Sequence, residues 1–328
     1  LNISKYQSSN YQENEGAALS KLGLRYLDRE QRKEKADIWI TNTKTDFDQL
    51  PPHLVEEKNN LKLIVHPNSG YDNFSPDWIS SIDVPVITGN PIRSEAVAEW
   101  TLAQVFARHA LNQHQNQWDK TRQWCRQLIT ESKILVIGHG KIGQRVSASL
   151  HPLCGENLEI YDPYIETKAL EQVTPPRLPL VKEKKFHIIL LCCSLNPLNY
   201  HLIDEQFLKT LPSNALIVNG ARGGLIDSNA LREFLRNNPQ AYAALDVFEN
   251  EPHDLYEFTT FSNVRLSSHI AGVHKDLDQK ILQFVENACS QFLHFYQQQN
   301  LQEFKALFSD LLLQNRLRKT PEGELFLC

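Results

Sequence analysis

The sequence predicts an α/β chain of two doubly wound, Rossmann/flavodoxin-like domains with a cleft between them. Three observations predict it. Short apolar runs recur in two series separated by helix-favouring stretches, a long proline-free segment lies between the series, and Gly138-His-Gly140-Lys-Ile-Gly143 follows one apolar run directly.

After a polar N-terminus the first series comprises 36–40, 61–65 and 84–88. Strands separated by helical stretches read as a parallel sheet with crossover helices. Residues 95–117 contain no proline and favour helix, so they read as a connecting helix. The second series, at 133–137, 158–161, 188–191, 215–218, 241–245 and 264–267, supplies the six strands of a dinucleotide-binding sheet. A long amphipathic helix over 275–299 would return the chain to the first domain. The expected division is therefore 1–94 plus 278–328 for the flavodoxin-like domain and 95–277 for the Rossmann domain. The polar tail from Asn300 carries no pattern of its own.

Composition narrows the function. The 328 residues are 41% hydrophobic and 22% charged, enough for two globular cores. A net charge of −5 provides no basic footprint for nucleic acid or an anionic membrane, which leaves a small diffusible ligand. The six cysteines lack metal-ligand spacing, and no signal peptide or membrane-spanning run is evident, so no metal and a reducing cytoplasmic setting are expected. Methionine is absent throughout, so spacing within short motifs is weighed above spacing between motifs, which omitted methionines would alter.

The glycine triplet has a chemical logic. Gly138 permits a tight turn, Gly140 lets a pyrophosphate approach the backbone, and Gly143 lets helix and strand pack closely. Asp162 ends the next strand, 19 residues after Gly143, where its carboxylate would accept ribose hydroxyls and repel the extra phosphate of NADP. NAD is the expected cofactor. The competing reading makes Asp162 a turn residue before Pro163.

Hydride transfer to a keto acid needs a cation for the carboxylate and carbonyl and a proton donor for the forming alkoxide. Arg222, Glu251 and His269 each follow an expected strand end, where open parallel sheets place ligands. Each also has a plain structural reading: Arg222 as a helix-start residue, Glu251 in a solvated loop, His269 as a satisfied histidine beside serine.

Over almost its whole length the chain resembles the D-isomer-specific 2-hydroxyacid dehydrogenases. The matching pieces are Asn68-Ser-Gly-Tyr-Asp-Asn73, Val97-Ala-Glu99, Gly138 to Gly143, Tyr161-Asp-Pro163, Asn219 to Gly224, Leu225-Ile-Asp227, Leu245 to Pro252 and Ser268-His-Ile-Ala-Gly272. The resemblance implies that Arg222 binds the substrate carboxylate and carbonyl, His269 is the acid/base, and Glu251 favours its protonated ring. It also implies that Lys141 and Ile142 lie over the pyrophosphate, that Cys193 lines the groove, and that Gly220, Ala221 and Asp246 meet the nicotinamide end, with Gly272 in the same cofactor-binding set. Ser69 and Gly70 would grip the substrate carboxylate through their amides, and helix 97–111 would form a homodimer.

Two positions depart from the family pattern. Cys193-Ser194 stands where a threonine and a proline are common, and Arg93 stands where relatives carry a neutral polar residue. Arg93 would read a phosphate or second carboxylate, unless it faces solvent or caps an acid. The alternative function is a non-catalytic, NAD-sensing corepressor-like protein of the same fold; it lacks support from any basic patch or long disordered extension. A formate dehydrogenase is disfavoured because an acid, Glu251, stands where those enzymes have an amide. A serine-regulated phosphoglycerate dehydrogenase would need a C-terminal domain that 28 residues after Asn300 do not supply.

Overall fold

The computed structural model describes residues 1–5, 12–27, 35–43, 45, 60–109, 118, 120, 127–166, 171–172, 186–252 and 256–328. The chain divides into two compact units: Leu1–Arg93, Thr167–Thr174 and His274–Cys328 form the first, and Ser94–Glu166 with Pro175–Val273 the second.

The first unit carries a five-stranded parallel sheet built from β1 (Asn2–Lys5), β2 (Arg25–Leu27), β3 (Ile38–Ile40), β4 (Leu63–His66) and β5 (Val86–Thr88). Its order, β2-β1-β3-β4-β5, is that of a flavodoxin-like sheet. The runs that form β3, β4 and β5 were legible because a strand covered on both faces is apolar at consecutive positions, and these three are buried throughout. Ile38, Ile40, Leu63, Val65 and Ile87 face one core with Leu19, Val285, Phe292 and Phe304. Trp39, Ile64 and Val86 face another with Phe74, Ile79 and Leu313. The polar N-terminus hides two further strands. In β1 the buried hydrophobic is Ile3, and in β2 it is Leu27 after an exposed Arg25, so neither shows an apolar run.

In the second unit, β6 (Ile134–Ile137), β7 (Leu158–Tyr161), β9 (Ile188–Leu191), β10 (Leu216–Asn219), β11 (Tyr242–Leu245) and β12 (Val264–Leu266) form one parallel sheet. The order is β12-β11-β10-β9-β6-β7, so the direction of winding reverses between β6 and β9. At such a switch point the loops after two neighbouring strands diverge and leave a crevice. Alternate residues again serve two cores. Leu135, Ile137, Ile189, Leu191 and Ile217 pack with Leu231 and Leu235. Ile134, Val136, Ile188, Leu190 and Val218 pack with Ala98, Val105, Val146 and Leu150. Both faces of the sheet are thus covered.

The expected connecting helix runs over Asn90–His109, and its expected continuation at 110–117 lies outside the described residues. A long helix at Leu277–Gln297 lays Ile281, Val285, Ala288 and Phe292 inward. The tail beyond Asn300 is structured: a helix at Leu301–Leu307 precedes β13 (Leu317–Lys319) and β14 (Leu325–Leu327). These two pair antiparallel, and β13 pairs parallel with β8 (Glu171–Gln172). Gln314 anchors this tail to the first sheet by donating to the Val84 carbonyl (2.6 Å) and accepting from the Val86 amide (3.3 Å). No described helix is long and apolar enough to cross a membrane.

Candidate active site

The glycine turn is shaped by close packing. Gly138 has φ +97°, a left-handed conformation that glycine adopts without strain, and a Cβ there would lie 2.6 Å from the Cys193 backbone nitrogen. A Cβ on Gly143 would lie 1.9 Å from the Gly138 carbonyl oxygen, so the helix Lys141–Cys154 meets its own strand as closely as backbone allows. Gly140, the helix cap, has no heavy atom within 4 Å of where its Cβ would be. Tight packing below and open space above suit a bound pyrophosphate at the positive end of a fourteen-residue helix.

Asp162 stands beside this turn. Its Oδ2 accepts from the His139 amide (2.7 Å) and its Oδ1 from the Tyr164 amide (2.9 Å). Each oxygen has a second lone pair to offer a ribose hydroxyl. Lys141 and Ile142 open the helix, and both are half-buried. Cys193 follows β9 against Gly138; burial, with Asp162 alongside, pushes its thiol up to about 12, so it is an inert wall residue. Gly220 follows β10, with space for a Cβ limited by the Trp100 ring at 3.2 Å, and Ala221 is buried.

The chemistry-bearing residues share the carboxyl edge of three neighbouring strands. In register, Asn219 pairs with Leu245, and Leu245 with Leu266. Arg222, Glu251 and His269 therefore leave the sheet along a front about 10 Å wide, two inter-strand spacings. Asn219 templates the turn that carries Arg222: its Nδ2 donates to the Arg222 carbonyl (2.9 Å) and its Oδ1 accepts from the Ala221 amide (3.0 Å). Arg222 itself is half-buried, with Nη1 donating to the Ala221 carbonyl at 2.7 Å.

Glu251 and His269 are brought into contact. Glu251 Oε2 lies 2.6 Å from His269 Nδ1, while Oε1 accepts from the Phe248 amide at 2.9 Å. A carboxylate only accepts, so Nδ1 carries the proton of this bond and Nε2 faces away from it. The His269 side chain is 53% exposed, accessible to a reactant. Its backbone has φ +54°, which a non-glycine residue adopts only when its surroundings impose it.

Asp246 imposes it. The Asp246 carbonyl accepts from the His269 amide (2.7 Å), and its carboxylate accepts from the Ser267 hydroxyl (2.5 Å) and the Ile270 and Ala271 amides (2.9 and 2.8 Å). The sequence reading placed Asp246 at the nicotinamide; in the structure it is 1% exposed and its carboxylate is occupied by the histidine loop. Gly272 lies in the turn that follows, closed by a Val273 amide to Ile270 carbonyl bond. The bracing by Asn219 and Asp246 went unread in sequence, although both residues lie inside recognised motifs.

In the first unit, Ser69 and Gly70 form a loop directly after β4. Arg93 places Nη1 3.1 Å from the Pro67 carbonyl of that loop. Among the described residues no group of three or more metal-ligating side chains occurs.

Residues 99–271 match the model of the D-isomer specific 2-hydroxyacid dehydrogenase NAD-binding domain. The chain belongs to that family. NAD is the cofactor of this dehydrogenase domain, and the open glycine turn with Asp162 fits it. Among curated relatives of the chain, D-3-phosphoglycerate dehydrogenase of Methanocaldococcus jannaschii is 31% identical over 254 residues, covering 74% of this chain but only 48% of that enzyme. Glyoxylate reductase of Thermococcus gammatolerans is 28% identical over 65% of this chain and 67% of the enzyme. The fold is also that of Aquifex aeolicus D-lactate dehydrogenase solved with NAD and lactic acid, with TM-score 0.64 and 19% identity over 93% of this chain and 98% of that one.

Proposed function

We propose that this dehydrogenase interconverts a small D-2-hydroxy acid and its 2-keto acid, with His269 as the acid/base. The observation that carries this reading is the Glu251–His269 pair, 2.6 Å apart, with the free ring nitrogen turned away from the carboxylate. Bound NADH supplies the hydride that the carbonyl carbon accepts. The Nε2–H bond of His269 breaks as a new O–H bond forms on the carbonyl oxygen, and its electron pair stays on the ring. Glu251 accepts the hydrogen bond from Nδ1 throughout, so the Nδ1 proton stays on the ring while the Nε2 proton is transferred. Arg222 holds the substrate carboxylate and polarises the carbonyl oxygen. In the first unit, the amides of Ser69 and Gly70 are the proposed donors to a substrate carboxylate.

The cofactor set in this reading is Gly138, Gly140, Lys141, Ile142, Gly143, Asp162, Cys193, Gly220 and Ala221, with Gly272 adjacent and Asp246 acting through the histidine loop. The negative charge of Asp162 favours NAD over NADP. The helix over 97–111, whose last two residues lie outside the described residues, is the proposed face of a symmetric homodimer. Light scattering tests that.

The activity is tested by following NADH consumption with glyoxylate, hydroxypyruvate, pyruvate and phosphorylated keto acids. Turnover of at least one is expected, and His269→Ala should reduce it by about 10²- to 10⁴-fold while NADH affinity is unchanged. Near-normal turnover in that variant would sink the mechanism.

A further inference from the structure

The loop 67–70 after β4 is held from beneath at every carbonyl. The Pro67 carbonyl accepts from Arg93 Nη1 (3.1 Å), and the Asn68 carbonyl from the Gly89 amide (3.0 Å). With the Asn90 amide oriented so that its oxygen faces the Arg316 guanidinium, the one orientation that satisfies both neighbours, the Ser69 carbonyl accepts from Asn90 Nδ2 (2.7 Å) and Asn90 Oδ1 accepts from Arg316 Nη2 (3.2 Å). The Gly70 carbonyl accepts from His66 Nε2 at 2.8 Å. His66 is fully buried and makes its second bond, through Nδ1, with the Thr41 hydroxyl at 2.9 Å. A carbonyl only accepts, so Nε2 bears the proton and Nδ1 takes the hydroxyl's. Gly89 closes the floor: a Cβ there would lie 2.6 Å from the Pro67 carbonyl carbon.

This arrangement decides where the amides point. In a planar trans peptide the C=O of one residue and the N–H of the next face opposite ways. Drawing the Asn68 and Ser69 carbonyls inward therefore turns the Ser69 and Gly70 amides outward. Among the described residues neither amide donates to a protein acceptor. Two adjacent, unspent N–H groups on one turn make a concavity for an anionic oxygen.

We propose that His66, Asn90 and Arg316 are positioning residues for substrate: they lock the 67–70 loop with its amides presented to the substrate carboxylate, so that the C-terminal segment is part of the substrate site. The inference rests on the reading above that Ser69 and Gly70 grip that carboxylate. Arg93 joins the lock through Nη1, which gives it a role in the loop backbone. Such a lock matters because a misplacement of about 1 Å at a binding group costs on the order of 10²-fold in rate. Arg316 ties the tail to it once more, by its guanidinium 5.7 Å over the Tyr71 ring, and is itself held within the tail through Nη1 to the Cys328 carbonyl (3.3 Å).

The test uses the NADH-saturated full chain and oxamate, a keto-acid isostere with one carboxylate. Oxamate affinity, NADH affinity, melting temperature and the amide NMR shifts of Ser69 and Gly70 are measured for wild type, His66→Ala, His66→Gln, Asn90→Ala and Arg316→Ala. Oxamate should move both amide signals in the wild type. His66→Ala and Asn90→Ala should weaken oxamate by about 10- to 100-fold, with NADH affinity within about twofold. His66→Gln, which restores an N–H near the Nε2 position, should recover most of the loss, and Arg316→Ala should fall between. If oxamate leaves the Ser69 and Gly70 signals in place in the wild type, the carboxylate reading fails. If it moves them, yet Asn90→Ala and Arg316→Ala bind it as the wild type does, the lock is overturned, even where His66→Ala does not fold.

Discussion

Glu251 holds His269 with one carboxylate oxygen and the Phe248 amide with the other, so the carboxylate cannot turn without losing a backbone bond. The neutral imidazole is thereby fixed in the tautomer protonated on Nδ1, with Nε2 facing away from the carboxylate. A glutamine at this position keeps the shape but not the charge. If its oxygen stays on the Phe248 amide, its NH₂ group faces Nδ1, and a proton on Nδ1 is opposed. Glu251→Gln should lower kcat by about 10²-fold and leave NADH affinity intact, measured by steady-state rates and fluorescence titration. An unchanged kcat would detach Glu251 from the proton transfer.

The two glycines of the cofactor turn should fail in different ways. Gly143→Ala drives a Cβ into the Gly138 carbonyl, where backbone has to move, and should destabilise the protein by about 1–3 kcal/mol. Gly140→Ala meets nothing and has an ordinary φ of −70°, so stability should stay within about 0.5 kcal/mol. Its added methyl occupies the open space, and NADH affinity should drop about tenfold or more. Denaturant melts and NADH titrations of both variants separate the effects.

Asp162 is poised by two backbone amides, and its charge is what an additional ribose phosphate would meet. Asp162→Ala should lower kcat/KM with NADH and narrow the ratio of NADH to NADPH efficiency by about tenfold or more. Both cofactors are compared with the same keto acid. A ratio that does not move would make Asp162 a turn residue only.

His66 predicts a pH dependence of stability. Burial, reinforced by the positive charge of Arg93 and opposed by the bond to Gly70 and by Asp72, lowers its pKa from 6.5 to about 4. The unfolded chain thus takes up a proton near pH 6.5 that the folded chain refuses until about pH 4. The His66 contribution is fully present above pH 6.5 and is lost as pH falls from 6.5 to 4, amounting to about 3 kcal/mol across that window. Denaturant melts across it, wild type against His66→Gln, isolate this contribution. Parallel slopes for the two proteins would contradict it.

The sequence by itself determined both parallel sheets in outline, because strands buried on two faces must be apolar at consecutive positions, and β4, β6, β9 and β10 are buried throughout. It marked the glycine turn, Asp162 and the Glu251 and His269 motifs for the same kind of reason, since each is a short local pattern whose chemistry demands particular residue types. It did not disclose β1 and β2, where burial falls on Ile3 and Leu27 amid polar neighbours, nor the ordered tail, whose strands pair with distant segments. Tertiary structure alone shows that Asp246 serves the histidine loop, and that Arg93, Asn90 and His66 hold the Pro67, Ser69 and Gly70 carbonyls with Arg316 behind Asn90. Those bonds join residues up to 226 positions apart by number, Asn90 to Arg316, and a hydrogen bond a few ångströms long leaves no periodicity in the chain that folds to make it.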